Sequence, residues 1–476
     1  MRLKTLGLAL FMIACLFQGA AHAASKPHFV IVMTDDQSFR EFDRTIMPKT
    51  FRAIADKGAM LTNAWFNVAL CCPARANFLT GKYAQNTGVS ANSYAQFLAG
   101  GNEPQTFAAV LAKAGYVNIM SGKHLNGYNG YLNGRFHLPE GWTYWTARVG
   151  GANIYTDSTV INEAGKRTKV QEYTTDYYFD QAVIDVAAAL RTGQPTLTFV
   201  NVSAPHTPYI PPARYKGACN NVPLPRIPSY NHKDPLKPAY TVIGKFNQTF
   251  EAKLNQSRRD RICSLRSVDD GVEKLVQAYE QAGQGNNTYF IFMSDNGMLM
   301  GEHGLTNSKG SPHQESLRMF LAIRGPGIRP RSEIGQLIGI ADLAPTMYEL
   351  AGVATPAWVD GRSIVSVWGP KPPSAAAWRK VLPGQLITSG STPRIPSWRG
   401  VVTAKGQTYA EYAGLKGKGV WQEFYDRNLD AYELSNRANR QPSWLLTRFA
   451  YLTKQLNTCA GATCREREQS YVPASR

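Results

Sequence analysis

The sequence predicts an α/β fold, a mainly parallel sheet wrapped by helices, followed by a small α+β unit. Three observations predict it. Over the first two-thirds of the chain, short β-rich apolar runs alternate with longer helical patterns. The helical stretches end in glycine, which suits a helix C-terminus. Each main strand candidate is followed by polar residues that a purely structural strand does not need.

In chain order, Met1 to Ala23 read as an export signal: a basic start (Arg2, Lys4), an apolar stretch from Leu6 to Phe17, and Ala21-His22-Ala23 as a small-x-small cleavage pattern. That stretch is short for a bilayer span, and no other segment holds about 18 uninterrupted apolar residues, so no transmembrane segment is expected. The mature chain is expected to be secreted or periplasmic. A lipid anchor at Cys15 has only the poor lipoprotein signal Met12-Ile13-Ala14 behind it.

Strands are expected at Phe29 to Met33, Val117 to Met120, Thr196 to Val202, Tyr289 to Met293 and Phe320 to Ile323. Helices are expected at Lys49 to Lys57, Thr106 to Ala114, Asp176 to Leu190, Leu265 to Ala282 and Asp342 to Leu350. A Gly/Pro-rich stretch from Trp368 to Pro373 separates a large domain, 24–370, which carries all the candidate chemistry, from a small domain, 371–476. There, Gly400 to Thr403 and Thr408 to Tyr412 read as antiparallel strands and Ser443 to Leu456 as a closing helix.

With 476 residues, 43% of them hydrophobic and 18% charged, the chain has ample material for a large core. Its formal charge is +18. Loss of Arg2 and Lys4 with the leader removes two positive charges and no acidic ones, leaving +16. Such a surface attracts polyanions. Nucleic acid, an anionic membrane and a sulfated glycan are candidate partners, with mere solubility as the alternative; export argues against nucleic acid, and no dense Lys/Arg run marks a nucleic-acid or membrane patch. After cleavage six cysteines remain. Cys459 and Cys464 are expected to close a small disulfide loop, and Cys219 with Cys263 is a second candidate pair. Adjacent Cys71 and Cys72 do not have the spacing of a zinc site.

Four polar clusters follow strands: Asp35-Asp36-Gln37, Lys123-His124, His206 and Asp295-Asn296. Ligand sites in open α/β sheets form at the carboxyl ends of the strands, so these clusters should converge. Three aspartates and an asparagine are hard oxygen ligands, suited to calcium or magnesium. Lys123, Lys309, Arg75 and His206 supply positive charge for an oxyanion. His303 and His313 read as loop residues.

Leu70-Cys71-Cys72-Pro73-Ala74-Arg75, with Leu79-Thr80-Gly81-Lys82 beyond it, resembles the signature of the formylglycine-dependent sulfatases. Pro73 suits a first helical turn, which puts residue 71 at a helix N-terminus, where an anionic oxygen is favoured. Asp35-Asp36-Gln37, Gly122-Lys123, Ala204-Pro205-His206-Thr207-Pro208, Ser294-Asp295-Asn296-Gly297 and Lys309 resemble further family motifs. Cys-Cys-Pro, Gly122 to Asn126 and Cys-Ala-Gly-Ala-Thr-Cys-Arg near the end are similar to the N-acetylglucosamine-6-sulfatase and heparan endosulfatase branch. Many sulfatases carry Lys-x-His, whereas here His124 follows Lys123 directly and Leu125 takes the usual place.

The resemblance implies an alkaline-phosphatase-like fold and a sulfuric ester hydrolase acting on a sulfated sugar or glycosaminoglycan, 6-O-sulfated N-acetylglucosamine among them. It implies that Cys71 is converted to formylglycine by a formylglycine-generating enzyme. A Ca2+ or Mg2+ ion would be held by Asp35, Asp36, Asp295, Asn296 and residue 71. Arg75, Lys123, His206 and Lys309 would be catalytic, with His124, Lys123 and Lys309 on the substrate. Two other readings stand beside it: a phosphodiester or phosphonate ester hydrolase on the same fold, and a polyanion-binding protein whose Cys71 is never modified.

Overall fold

A computed structural model describes residues 26–474 apart from 152, 239, 241–245, 376, 388–394 and 414–418, so the expected leader lies outside the described residues. Ten strands make the large sheet: β1 (His28–Thr34), β2 (Ala59–Leu61), β3 (Val117–Gly122), β4 (Tyr144–Gly151), β5 (Ser158–Asn162), β6 (Arg167–Val170), β7 (Thr196–Asn201), β8 (Thr288–Ser294), β9 (Leu321–Arg324) and β10 (Ser332–Ile334), in the spatial order β10-β2-β9-β8-β1-β7-β3-β4-β5-β6. The run β8-β1-β7-β3-β4 is parallel, and antiparallel strands flank it on both sides. The fifth strand candidate is therefore present as β9, but it runs antiparallel to β8.

All seven residues of β1 are buried, as a central strand covered on both faces requires. Alternate residues serve opposite cores. Phe29, Ile31 and Met33 share one with Phe78 and Leu79 of α1 (Cys71–Thr80), Phe107 of α2 (Phe107–Lys113) and Leu343 of α5 (Leu343–Leu350). Val30 and Val32 share the other with Phe179 of α3 (Thr174–Leu190) and Val268 of α4 (Gln248–Gln281). The apolar period predicts α4 only from Leu265. The helix starts 17 residues earlier, capped by the Asn247 side chain on the Phe250 amide, through a polar stretch that the Cys219–Cys263 disulfide and buried Arg261 anchor to the body. Among the described residues no helix is long and apolar enough to cross a membrane.

The C-terminal unit is an antiparallel sheet, β11 (Val381–Leu386), β12 (Trp398–Thr403), β13 (Gln407–Ala413) and β14 (Val420–Asp426), under α6 (Ser443–Leu456). Val381, Val401, Tyr409 and Phe424 meet Leu445, Phe449 and Leu452 of α6, while Leu382, Leu386, Val402 and Tyr412 join the core of the large domain. Cys459 and Cys464 form the small disulfide loop expected of them.

At the end of β3, Gly122 has φ +115°, and a Cβ there would lie 1.8 Å from the Asn201 carbonyl oxygen on β7. Only glycine lets these two strand ends come together beside Lys123. Gly122→Ala should cost about 2–4 kcal/mol, lowering the urea unfolding midpoint; an unchanged midpoint would show that the two strand ends separate freely.

Candidate active site

The polar residues expected to converge do so at the carboxyl ends of β1, β3, β7 and β8. Asp35 and Asp36 leave β1, Lys123 leaves β3, His206 lies beyond β7, and Asp295 with Asn296 leaves β8. Cys71 is the first residue of α1, and Arg75, one turn later, shares its face. Lys309 enters from the loop after Thr306–Ser308.

Cys71 Sγ lies 2.9 Å from Lys309 Nζ and 3.5 Å from Asp35 Oδ1. Lys123 Nζ binds Asp35 Oδ2 at 2.5 Å, and Lys309 Nζ binds Asp36 Oδ1. Arg75 Nε donates to Asp295 Oδ2 at 2.9 Å, while its Nη1 reaches the Lys123 carbonyl at 3.1 Å and Asn201 Oδ1 at 3.2 Å. One guanidinium thus ties α1 to the ends of three strands. Burial pushes the Asp35 carboxyl up, but Lys123 and then His206 overcome it and hold Asp35 below the ordinary carboxylate range. Asp36 is likewise held low, by Lys309 and His206 against burial. Burial pushes the Cys71 thiol up, so as a thiol it stays protonated.

Lys123, Lys309 and Arg75 stand against Asp35, Asp36 and Asp295, so charge balance alone does not demand a metal. Hydrogen bonding supplies the stronger reason. Asn296 Nδ2 donates to Asp36 Oδ1 at 2.6 Å, leaving Asp36 Oδ2 and Asn296 Oδ1 buried with no protein donor. Each such atom costs about 1–3 kcal/mol. Together with Asp35 and Asp295 these hard oxygens fit a divalent cation of the calcium or magnesium type. Asp35, Cys71 and Asp295 offer ligand atoms within 4.8 Å of one another, as do Asp35, Asp36 and His206.

The histidines separate. His206 stays partly exposed, with Nε2 3.6 Å from Asp36 Oδ2 and Nδ1 2.7 Å from its neighbour Thr207's carbonyl. His124 is not among the groups gathered at Cys71. Its ring packs edge-on against Tyr94, Tyr128 and Trp145 at 5.2–5.5 Å, and burial pushes it down to about 3, so it is neutral. Only its carbonyl, which accepts from Arg75, faces the centre. Its side chain lies in this aromatic pocket with Nε2 buried and without a protein hydrogen-bond partner. His303 and His313 lie in loops, as expected, yet both are fully buried and stack at 3.9 Å. Lys237 Nζ faces His303 Nδ1 at 2.8 Å, His313 Nε2 at 3.3 Å and the Glu433 carbonyl at 2.6 Å. Three acceptors match the three ammonium protons. His303, Glu315 and Glu433 are close enough for a ligand set, but Lys237 is already the cation among them. Cys72 is satisfied by the Asn126 amide at 3.0 Å.

Sequence reasoning missed Arg261. It lies in the charged stretch Arg258-Arg259-Asp260-Arg261, before the expected helix, yet it is fully buried. Its Nη2 donates to the Asp36 carbonyl at 2.7 Å and its Nη1 to the Pro205 carbonyl at 3.2 Å, while Glu41 grips it through two bonds of 2.6 and 2.7 Å. Arg261 therefore fixes the two loops that present Asp36 and His206. Arg261→Lys, which cannot span four acceptors, should weaken divalent-cation binding roughly tenfold by titration calorimetry, with Glu41→Gln milder. Unchanged affinity in both would reduce Arg261 to core packing.

Comparison with known proteins agrees with this geometry. The family model described as Sulfatase matches residues 27–353, and the one described as N-sulphoglucosamine sulphohydrolase, C-terminal, matches residues 301–459. N-acetylglucosamine-6-sulfatase of Capra hircus is 31% identical over 488 aligned residues, spanning 94% of this chain and 86% of the relative. The extracellular sulfatase SULF-1 homolog of Drosophila melanogaster is 33% identical over 353, spanning 71% of this chain and 31% of the relative. A protein solved with its substrate D-glucosamine-2-N,6-O-disulfate shares the fold, with a TM-score of 0.77, 22% identity, and coverage of 94% of this chain and 100% of that one. With this alkaline-phosphatase-like fold, the chain belongs to the sulfatase family and is a sulfuric ester hydrolase.

Proposed function

We propose that this hydrolase removes sulfate from a sulfated sugar, 6-O-sulfated N-acetylglucosamine or a glycosaminoglycan carrying it, in the space outside the cell membrane. The observation that carries the reading is the setting of Cys71. It sits at a helix N-terminus, 2.9 Å from Lys309, beside the two unpartnered oxygens of Asp36 and Asn296. The sugar is supported by the relatives' named substrates, and the compartment by two disulfides and the leader-like start.

Asp35, Asp36, Asp295 and Asn296 would hold the cation, calcium or magnesium. Formylglycine at residue 71 would supply, once hydrated, an oxygen nucleophile for sulfur, with the cation favouring its ionised form. Because Cys71 is 1% exposed, the converting enzyme would have to act before the chain folds. Lys123 and Lys309, both ammonium groups in a buried setting, would balance charge growing on the sulfate oxygens. Arg75 would keep Asp295 and the Lys123 backbone in register. His206, the partly exposed histidine of the cluster, would move the proton at the departing sugar oxygen, or take one as sulfate leaves. His124 has no part in proton transfer.

Cys71→Ala should abolish turnover and leave the unfolding midpoint near wild type, whereas Cys72→Ala should keep activity within about tenfold. Equal losses would mean that the nucleophile is misassigned. On paired esters, a 6-sulfated N-acetylglucosamine should be turned over far faster than the matching 6-phosphate. Chelation should stop the reaction, and calcium or magnesium should restore it. A preference for phosphate, or rescue by zinc alone, would sink the proposal.

A further inference from the structure

We propose a second anion-binding site, for a sulfated segment of a glycan, in the cleft between the large domain and the C-terminal sheet. This rests on the reading of the substrate as a sulfated glycan and extends it to chains longer than one sugar. The cleft has a volume of about 670 Å³, within the roughly 300–1,000 Å³ range of small-molecule sites. One wall comes from Thr62 to Trp65 and Arg318, the other from Lys405 and the turn after β14. None of Cys71, Asp35, Asp36, Lys123, His206 or Lys309 lines it.

Its charge is lopsided. Three cationic side chains, Arg318, Arg427 and Lys405, line it with one acidic residue, Asp426. Arg427 lies over the Trp65 ring at 4.4 Å and is held from behind by Glu433 at 3.4 Å. Arg318 is anchored on the Thr62 carbonyl at 2.7 Å. Burial pushes the Arg318 guanidinium down, Arg427 and Arg40 add to it, and Glu433 and Glu315 offset part of it. An anion between the cations would ease the repulsion that remains. Asn63 and Asn428 line the same space with amide groups. Guanidinium groups fixed by the Thr62 carbonyl and Glu433 suit a sulfate, and the two amides, held by the Gly335 and Lys405 carbonyls, add a polar lining suited to a sugar.

Lys405 is exposed, its Nζ donating to the Val472 carbonyl at 2.8 Å, and Arg318 keeps one backbone anchor, so neither change removes a hydrogen-bond partner of the Arg427–Glu433 pair. The probe is a heparin-derived tetrasaccharide, titrated calorimetrically into Cys71→Ala protein, which cannot turn it over. Lys405→Glu and Arg318→Gln should each raise its Kd roughly fivefold to tenfold, the size of one lost charge-assisted contact. Lys253→Glu, the same charge change as Lys405→Glu on an exposed face of α4, should leave the Kd within about twofold. In the active enzyme both cleft variants should raise KM for the tetrasaccharide at constant kcat and leave hydrolysis of a small aryl sulfate untouched. The inference is overturned if the tetrasaccharide does not bind, if Lys253→Glu weakens it as much as Lys405→Glu, or if aryl sulfate hydrolysis falls in parallel. Failure of the wild type on every sulfated sugar, with the aryl sulfate still cleaved, would instead strike the glycan reading itself.

Discussion

Everything at the carboxyl edge of the sheet depends on one electrostatic balance: Asp35, Asp36 and Asp295 buried against Lys123, Lys309 and Arg75 around the first residue of α1. Each of these groups alone would be too costly to bury, and each is tolerable because an opposite charge stands at hydrogen-bond distance. A divalent ion added to a balanced set leaves the pocket positive, which is what a sulfate ester requires. The same balance explains why the two lysines are not free. Until a cation takes over the carboxylates, Lys123 and Lys309 are their partners.

That balance needs backbone held more tightly than loops usually are. Asp36 has φ 67°, a left-handed conformation uncommon outside glycine, although aspartate tolerates it better than most. It is secured by three links: its amide donates to Asp295 Oδ1 at 3.0 Å, Asn296 and Lys309 bind its carboxylate, and Arg261 binds its carbonyl. The strands beneath cannot slip, since β1 is paired in parallel along its length with both β7 and β8. Strain at the site is thus carried by a rigid sheet on one side and by the Arg261–Glu41 pair on the other.

Among the described residues the C-terminal unit carries no part of the cluster around Cys71, yet it is bound to the catalytic domain by buried charge. Arg379 ties Asp342 before α5 to Glu468, and Lys237 joins the Glu433 carbonyl to His303 and His313. The Glu315 carbonyl then packs against Gly297, directly after Asn296. A chain of contiguous packing therefore runs from the small sheet to the metal-type loop. The cleft lined by Arg318, Lys405, Arg427 and Asp426 lies at the seam between the two units.

Much of this was legible without coordinates. The alternation of apolar runs and helical patterns specified four of the five strands in the parallel run, with β4 unexpected, α6 was expected at its observed bounds, and the rule that strand ends carry ligand sites brought Asp35, Asp36, Lys123, His206, Asp295 and Asn296 together. What escaped was whatever depended on partners remote in sequence. Arg261 lies 220 residues from Glu41, and Lys237 lies 196 from Glu433; a charged residue in a polar stretch reads as solvated because burial becomes affordable only once its counter-charge arrives. His124 shows the converse. Beside a functional lysine it looked like a ligand, but Lys123 turns to Asp35 while the His124 ring packs among Tyr94, Tyr128 and Trp145. Local periodicity and the chemistry of residue types were fixed by the chain alone, whereas the pairing of buried charges was decided only by the tertiary structure, because Coulomb attraction depends on distance in space and not along the sequence.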